Sequence, residues 1–566
     1  MAAAFVVGVD VGTGSARAAL VDCANGHIVR IAHAPIATYN PPATQLFHQS
    51  SDNIWRACAQ VVKEVTSSVD KELVKGIAFD ATCSLVVLDR QVQPLSVSPH
   101  GESEQNVILW LDHRASTEVN LINKTEHKLL SYVGGKMSLE MQLPKLLWLK
   151  NNLRDNCWNK AGYFFDLADF LTWKATGSDA RSICTVTCKW AYDGVSNSWD
   201  KSFMESIGLD DLLEDGCSKI GSVMQAPGIP CGQGLTESAA ADFGLKVGTC
   251  VATSIIDAHA GVLGMAAARL SEDKKMSDPT LLYHLSKRLI LICLVAGLIC
   301  GTSTCLMAVG GSRVFVSGVW GPYPGAVLGL EPHLWLLEGG QSATGKLIDH
   351  LVDKHPASSH IRTEDNVHIT DYLNELLKKM AESRHLSSVE FLTKDLHVWP
   401  DFHGNRSPLA DPSLRGMMSG LSLSTSEEDL ALQYLAVIQS LAYSTKQIIS
   451  SMESAGHAHI ETVLACGGLA NNSLYVQVLA NVLACQSTRC QLLVPVQQNA
   501  MLVGCAILAA TATGHWPSVS HAMTGMAPVA NEVQSQPSTY QYHSKKYKVF
   551  LQMVEDQKKY KRIMDS

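Results

Sequence analysis

Asp10, Gly12, Thr13, Gly14 and Ser15 crowd one carboxylate, two glycines and two hydroxyls into six residues near the start of the chain. Bare backbone N–H groups and short hydroxyls are donors that can close around phosphate oxygens. Gly301-Thr302-Ser303 repeats the device about 290 residues later. Two such turns facing each other across a cleft would surround one polyanion, and a nucleoside triphosphate fits. Taken singly, each turn is better explained by a plain hairpin, where glycine supplies positive φ, and it is the pair that points to function. Asp257, in ATSIIDAHAG, follows an apolar run and precedes small residues. Its carboxylate can enter a cleft and take a proton from a hydroxyl; a helix N-cap aspartate would have the same neighbours. Gly467-Gly468, in LACGGLANN, bares backbone at a strand-to-helix crossing, where a flat ring can lie, as in any ordinary strand–helix turn. Glu338, in EGGQSATG, is available to bind hydroxyls, although a glycine turn leading into a helix explains the stretch as well. WPDFHGNRSPLADP is dense in polar and turn residues, and loop structure alone could account for it.

These residues need elements to hold them. Val6, Val7 and Val9 predict a buried strand, Ala16, Ala18 and Leu20 its antiparallel return, and residues 28–37 a third strand. SSDNIWRACAQVVKEVTSSV has helical spacing behind a Ser-Asp cap. VKGIAFDA, SLVVLD and NVILWLD predict short strands. LPKLLWLKNNL and DLADFLTWKATG predict helices, the second closed by Gly177. The tail YHSKKYKVFLQMVEDQKKYKRIMDS predicts one basic amphipathic helix. Antiparallel hairpins mixed with alternating strands and helices predict layered α/β domains. The second hairpin, LICGTSTCLMAVGG, makes two related domains the expectation.

Size and composition agree. A chain of 566 residues exceeds what one core usually supports. A net charge of −8 argues against general nucleic-acid binding. Sixteen scattered cysteines, without paired spacing, predict reduced thiols in a cytoplasmic protein. The opening MAAAFVVGVD has no basic residue before its apolar run, so it reads as a first strand, not a signal peptide. The apolar run Leu289 to Cys300 is twelve residues long, too short for a bilayer, and predicts a buried strand or core helix.

DVGTGSARA, FDATCS, WLDHRA, EMQLPK, DAHAG, CGTST, EGGQSATGKLID, PDFHGNRSPLAD and CGGLANN, in that order over nearly the whole chain, resemble the FGGY carbohydrate kinases, ribulokinase-like branch. The resemblance implies a two-domain α/β fold of the actin/hexokinase-like ATPase type, with ATP and sugar in the interdomain cleft. It implies an N-terminal domain over 1–262, a connecting segment over 263–300 and a C-terminal domain over 301–566. It further implies Asp257 as catalytic base and Asp10 as the residue placing Mg²⁺. Gly12, Thr13, Gly14 and Ser15 would face the phosphates with Gly301, Thr302 and Ser303, while Gly467, Gly468 and Asn471 would hold adenosine. Asp80, Thr82, Cys83, Lys189 and Glu338 would hold a ketose. The implied activity is ATP-dependent phosphorylation of a ketopentose, with D-ribulose the first candidate. A sugar is then the implied partner, with no nucleic acid and no membrane, and a homodimer is left open. The segment between DAHAG and CGTST is longer and more apolar than the family pattern. It leaves a catalytically weak or inactive nucleotide- or sugar-binding protein of the same fold as the alternative.

Overall fold

The computed structural model describes residues 4–41, 44, 46–270, 295–361, 368–485 and 490–565. Most of the connecting segment, residues 271–294, lies outside them, as does the first half of the apolar run.

The opening hairpin forms as its composition requires. Strand β1 (Phe5–Val11) returns antiparallel as β2 (Ser15–Asp22), which pairs in turn with β3 (Ile28–Pro35). Helix α1 (Ser51–Thr66) starts at Ser50, whose hydroxyl accepts from the Asn53 N–H at 3.3 Å. The chain then enters β4 (Val74–Ala81), parallel to β1. Helix α2 (Ile183–Lys189) follows, then the short strands β5 (Cys250–Val251) and β6 (Ile255–Ile256), both parallel to β4. Helix α3 (Asp257–Met265) leaves β6 directly. Val7, Val9 and Val11 pack with Ile54 and Val61 of α1 on one face of this sheet. Val6, Gly8 and Asp10 alternate onto the other face.

A second sheet repeats the plan. After the edge strand β7 (Arg269–Leu270), β8 (Val295–Cys300) returns antiparallel as β9 (Thr304–Gly310). β10 (Trp320–Pro324) and β11 (Trp335–Gln341) extend the sheet antiparallel on the β9 side. Helix α4 (Gly345–Lys354) and the long α5 (Glu427–Ser454) follow. β12 (Thr462–Cys466) joins parallel to β8. Then come α6 (Ser473–Ala484), β13 (Gln491–Pro495), α7 (Ala500–Ala512), β14 (Val529–Glu532) and the terminal helix α8 (Tyr540–Asp565). The strand order is β7-β14-β13-β12-β8-β9-β11-β10. The end of the apolar run is therefore a strand, with Ala296, Leu298 and Cys300 in the second core.

Two helices join the sheets. Helix α7, which follows the second sheet's β13, packs on β1 and β4 of the first. Helix α3, which follows the first sheet's β6, packs on β8 of the second. The helices cross at bare backbone: a Cβ on Gly504 would stand 1.9 Å from the Ala260 carbonyl oxygen, and one on Gly264 1.9 Å from that of Ala500. Gly8 in β1 gives α7 the same clearance, since its Cβ would meet Leu502 O at 2.3 Å. Among the described residues no helix is long and apolar enough to cross a membrane.

Candidate active site

A cavity of about 520 Å³ opens between the two sheets beside this crossing. Three of its walls come from tight turns. In the first, Gly12 N–H donates to Ser15 O at 3.0 Å, and Gly12 and Thr13 line the cavity. Trp110 Nε1 donates to Thr13 Oγ1 at 3.0 Å, which leaves the hydroxyl proton free to donate elsewhere. In the second, Gly301 N–H donates to Ser303 O at 2.8 Å, one residue tighter, and Gly301, Thr302 and Ser303 line the opposite side. The third is the β12–α6 crossing, where Gly467, Gly468 and Asn471 line the cavity. Gly467 has φ +96°, and a Cβ there would meet Cys300 O at 2.4 Å, so both conformation and space demand glycine. Gly14 and Ser15 are not on the cavity wall. Gly14 O accepts from Ile36 N–H at 2.9 Å, and Ser15 has already entered β2.

EGGQSATG is more than a glycine turn. Glu338, Gly339 and Gly340 lie inside β11. The residues after it buttress the second turn: Thr344 N–H donates to Thr302 O at 2.9 Å and Gly345 N–H to Gly301 O at 3.1 Å.

Three carboxylates gather at the ends of adjacent parallel strands. Asp10 and Asp80 are partners across β1 and β4, and β6 delivers Asp257 as the first residue of α3. Asp257 lines the cavity, and its Oδ1 accepts from the Ala258 N–H at 2.7 Å. Burial, reinforced by the charge of Asp10, pushes its carboxyl up to about 6. Burial and Asp10 also push Asp80 well above the usual carboxylate range. Asp10 and Asp80 sit behind the wall, 1% and 0% exposed. Asp10 is ion-paired with Arg17, which reaches the cavity. The Asp80 Oδ1 atom is buried without a hydrogen-bond partner. This all-oxygen donor set is of the kind a hard divalent cation such as Mg²⁺ takes.

The far end of the cavity is an ion-pair cluster. Lys189, the last residue of α2, is buried, and its Nζ lies 3.1 and 3.4 Å from the two Glu338 oxygens. Arg406 Nη2 donates to Glu338 Oε1 at 2.6 Å, and Nη1 stands 3.5 Å from Glu140 Oε2. Both cations lie over the Trp320 ring, at 4.2 and 4.1 Å. Burial would raise the Glu338 carboxyl, but Lys189 and Arg406 hold it at about 2, so it stays ionised. Thr82 and Cys83 complete this end. Arg406, Glu140, Arg17, Trp110 and Trp320 were given no role by sequence reasoning. Four of them sit in the quoted motifs, and Arg406 is the lone cation of the stretch that loop structure could explain. Trp320 carried no signal.

Residues 5–264 match the N-terminal domain, and residues 296–513 the C-terminal domain, of the FGGY family of carbohydrate kinases. The chain is similar to the FGGY carbohydrate kinase domain-containing proteins of Xenopus laevis and Homo sapiens. Each is 48% identical and aligned over 99% of this chain and 98% of its own length. It is 40% identical to a D-ribulokinase of Saccharomyces cerevisiae, over 90% of this chain and 72% of that one. Among solved structures, the gluconate kinase of Lactobacillus acidophilus superposes with a TM-score of 0.76 at 16% identity, covering 98% of each chain.

Proposed function

This chain belongs to the FGGY family of carbohydrate kinases, and on that premise we propose that it moves the γ-phosphoryl group of ATP onto a hydroxyl of a ketopentose, D-ribulose first, with Asp257 as general base. The observation that carries the reading is that both hairpin turns, the β12–α6 crossing, Asp257 and the Lys189–Glu338 pair line one cavity. The substrate class is supported by the 40% identical D-ribulokinase.

A sugar hydroxyl is a weak nucleophile at neutral pH. A carboxylate with a pKa of about 6 is ionised at pH 7 and still basic enough to take its proton, a contribution of about 10²–10⁴ in rate. Glu338, held ionised, accepts hydrogen bonds from sugar hydroxyls, and Lys189 donates to the carbonyl or hydroxyl oxygens. The Trp320 ring helps to hold both cations in place. The N–H groups and hydroxyls at Thr13, Thr302 and Ser303 stabilise charge on the transferring group, and Arg17 adds a cation nearby. Asp10, with Asp80 behind it, would hold Mg²⁺, which would supply charge neutralisation to the phosphates. Gly467, Gly468 and Asn471 leave room for the adenosine ring against bare backbone. Closure of the lobes about the α3–α7 crossing excludes water, the competing acceptor.

The test is a panel of pentuloses, pentitols and glycerol with ATP and Mg²⁺, read by phosphorylated product. Turnover of a ketopentose above the rest supports the proposal. Stabilisation by ATP or sugar without product on any acceptor favours a binding protein of the same fold.

A further inference from the structure

Behind the sugar end of the cavity lies a cluster that the phosphoryl-transfer reading does not use. Helix α2 carries Cys184 and Cys188, four residues apart and therefore on one face. Helix α3 brings His259 against them. One ligand atom of each lies within 4.8 Å of the others, and all three residues are buried. Reduced buried cysteines alone would be ordinary packing. The histidine is not: it is 0% exposed, and neither ring nitrogen has a hydrogen-bond partner. A neutral imidazole carries one N–H and one lone pair, and buried polar atoms of this kind normally find partners. The carboxylate oxygen Glu338 Oε2 is 3.8 Å from Nε2 and accepts from Lys189, while Arg406 holds the other oxygen, Oε1.

We propose that Cys184, Cys188 and His259 form a structural site for a thiophilic divalent cation, with Zn²⁺ as its occupant. Two thiolates and one imidazole are a three-residue zinc donor set, which leaves the fourth tetrahedral position to a small ligand such as water, and the two thiolate charges balance the ion within the core. Metal–ligand distances of about 2.0–2.3 Å require the three side chains to draw in by roughly 1 Å at the widest pair. The ion would staple α2 to α3. Lys189 directly follows Cys188, and Asp257 precedes His259 by two residues, so the staple would set the spacing of the two groups assigned to sugar and proton. The site is separate from the oxygen-rich Mg²⁺ position in ligand type, and its test does not require turnover.

The experiment is elemental analysis of the full chain, expressed with zinc in the medium and purified without chelator under reducing conditions. A parallel preparation grown with Co²⁺ is read by absorption. The proposal expects about one zinc per chain. The cobalt form should show thiolate-to-metal charge transfer and the intense d–d bands of tetrahedral sulfur ligation. A Cys184→Ala/Cys188→Ala double variant and, separately, His259→Gln should lose the metal and the bands. Wild-type protein with less than about 0.1 equivalent of metal and no charge-transfer band overturns the proposal, and needs no variant to fold. Metal retained undiminished by the double variant overturns it as well.

Discussion

At the residue scale, Asp257 carries the sharpest consequences. Replacing it with Asn keeps size and polarity but removes the proposed base. Asp257→Asn should lose about 10²–10⁴ in kcat while binding ATP nearly as before, measured by steady-state rates beside nucleotide titration. Its pKa also sets a pH profile. The group acts as a base only when deprotonated, and burial with Asp10 nearby holds it at about 6. kcat/KM should therefore be flat above that value and fall about tenfold per pH unit below it; a profile unchanged from pH 7 to 5 would assign the proton to another group. Arg406 makes a different prediction. Removing it strips one of two cations from a buried carboxylate and leaves Glu140 without its partner. Arg406→Met should destabilise the protein by about 3–5 kcal/mol in denaturation and raise KM for the sugar more than KM for ATP. Glu338 has its pKa depressed from 4.5 to about 2, so its ion pairs stabilise the fold fully above its ordinary value. That contribution is lost as pH falls from about 4.5 through about 2.

At the element scale, the hairpins were legible because their chemistry is local. Valines at 6, 7 and 9 demand a buried strand, and glycines at 12 and 14 permit the turn. The cap at Gly177 was equally plain, and Gly177 has φ +71°, whereas the Ser-Asp pair read as a cap lies in the first turn of α1 behind the capping Ser50. Elements whose meaning depends on distant partners were not. Glu338 sits among glycines that suggest a turn, yet strand pairing with β9 and β10 holds it in β11. Gly8, Gly264 and Gly504 carry no local signal, because what requires them is another backbone far away in sequence. The crossing predicts that Gly504→Ala, whose Cβ would stand 1.9 Å from Ala260 O, forces α3 and α7 apart. Such overpacking should cost about 1–3 kcal/mol in thermal unfolding. Because Asp257 opens α3, activity should fall further than the lost stability explains. The same logic applies to Gly345, where a Cβ would meet Gly301 O at 2.7 Å. Gly345→Val should raise KM for ATP and leave sugar binding near normal, since it displaces only the second turn.

At the scale of the whole molecule, the architecture is one plan used twice. Each lobe presents a hairpin turn to the cleft and lends a helix to the other lobe's sheet, so the cavity belongs to neither alone. The two motifs 290-odd residues apart made this visible in outline. The polar end of the site was harder, because Lys189, Glu338 and Arg406 come from three distant stretches and only the fold gathers them. Nothing local marks Lys189 as buried, yet in the structure it is 3% exposed and ion-paired with Glu338. Transfer chemistry in this cavity is tested most directly by product analysis. Purified wild-type chain and Asp257→Asn are each incubated with ATP, Mg²⁺ and D-ribulose, and sugar phosphate is quantified. Stoichiometric sugar phosphate and ADP are expected from the wild type, and a loss of about 10²–10⁴ in rate from the variant. Equal rates from the two proteins, or ADP formed with no phosphorylated sugar, would contradict the proposed transfer.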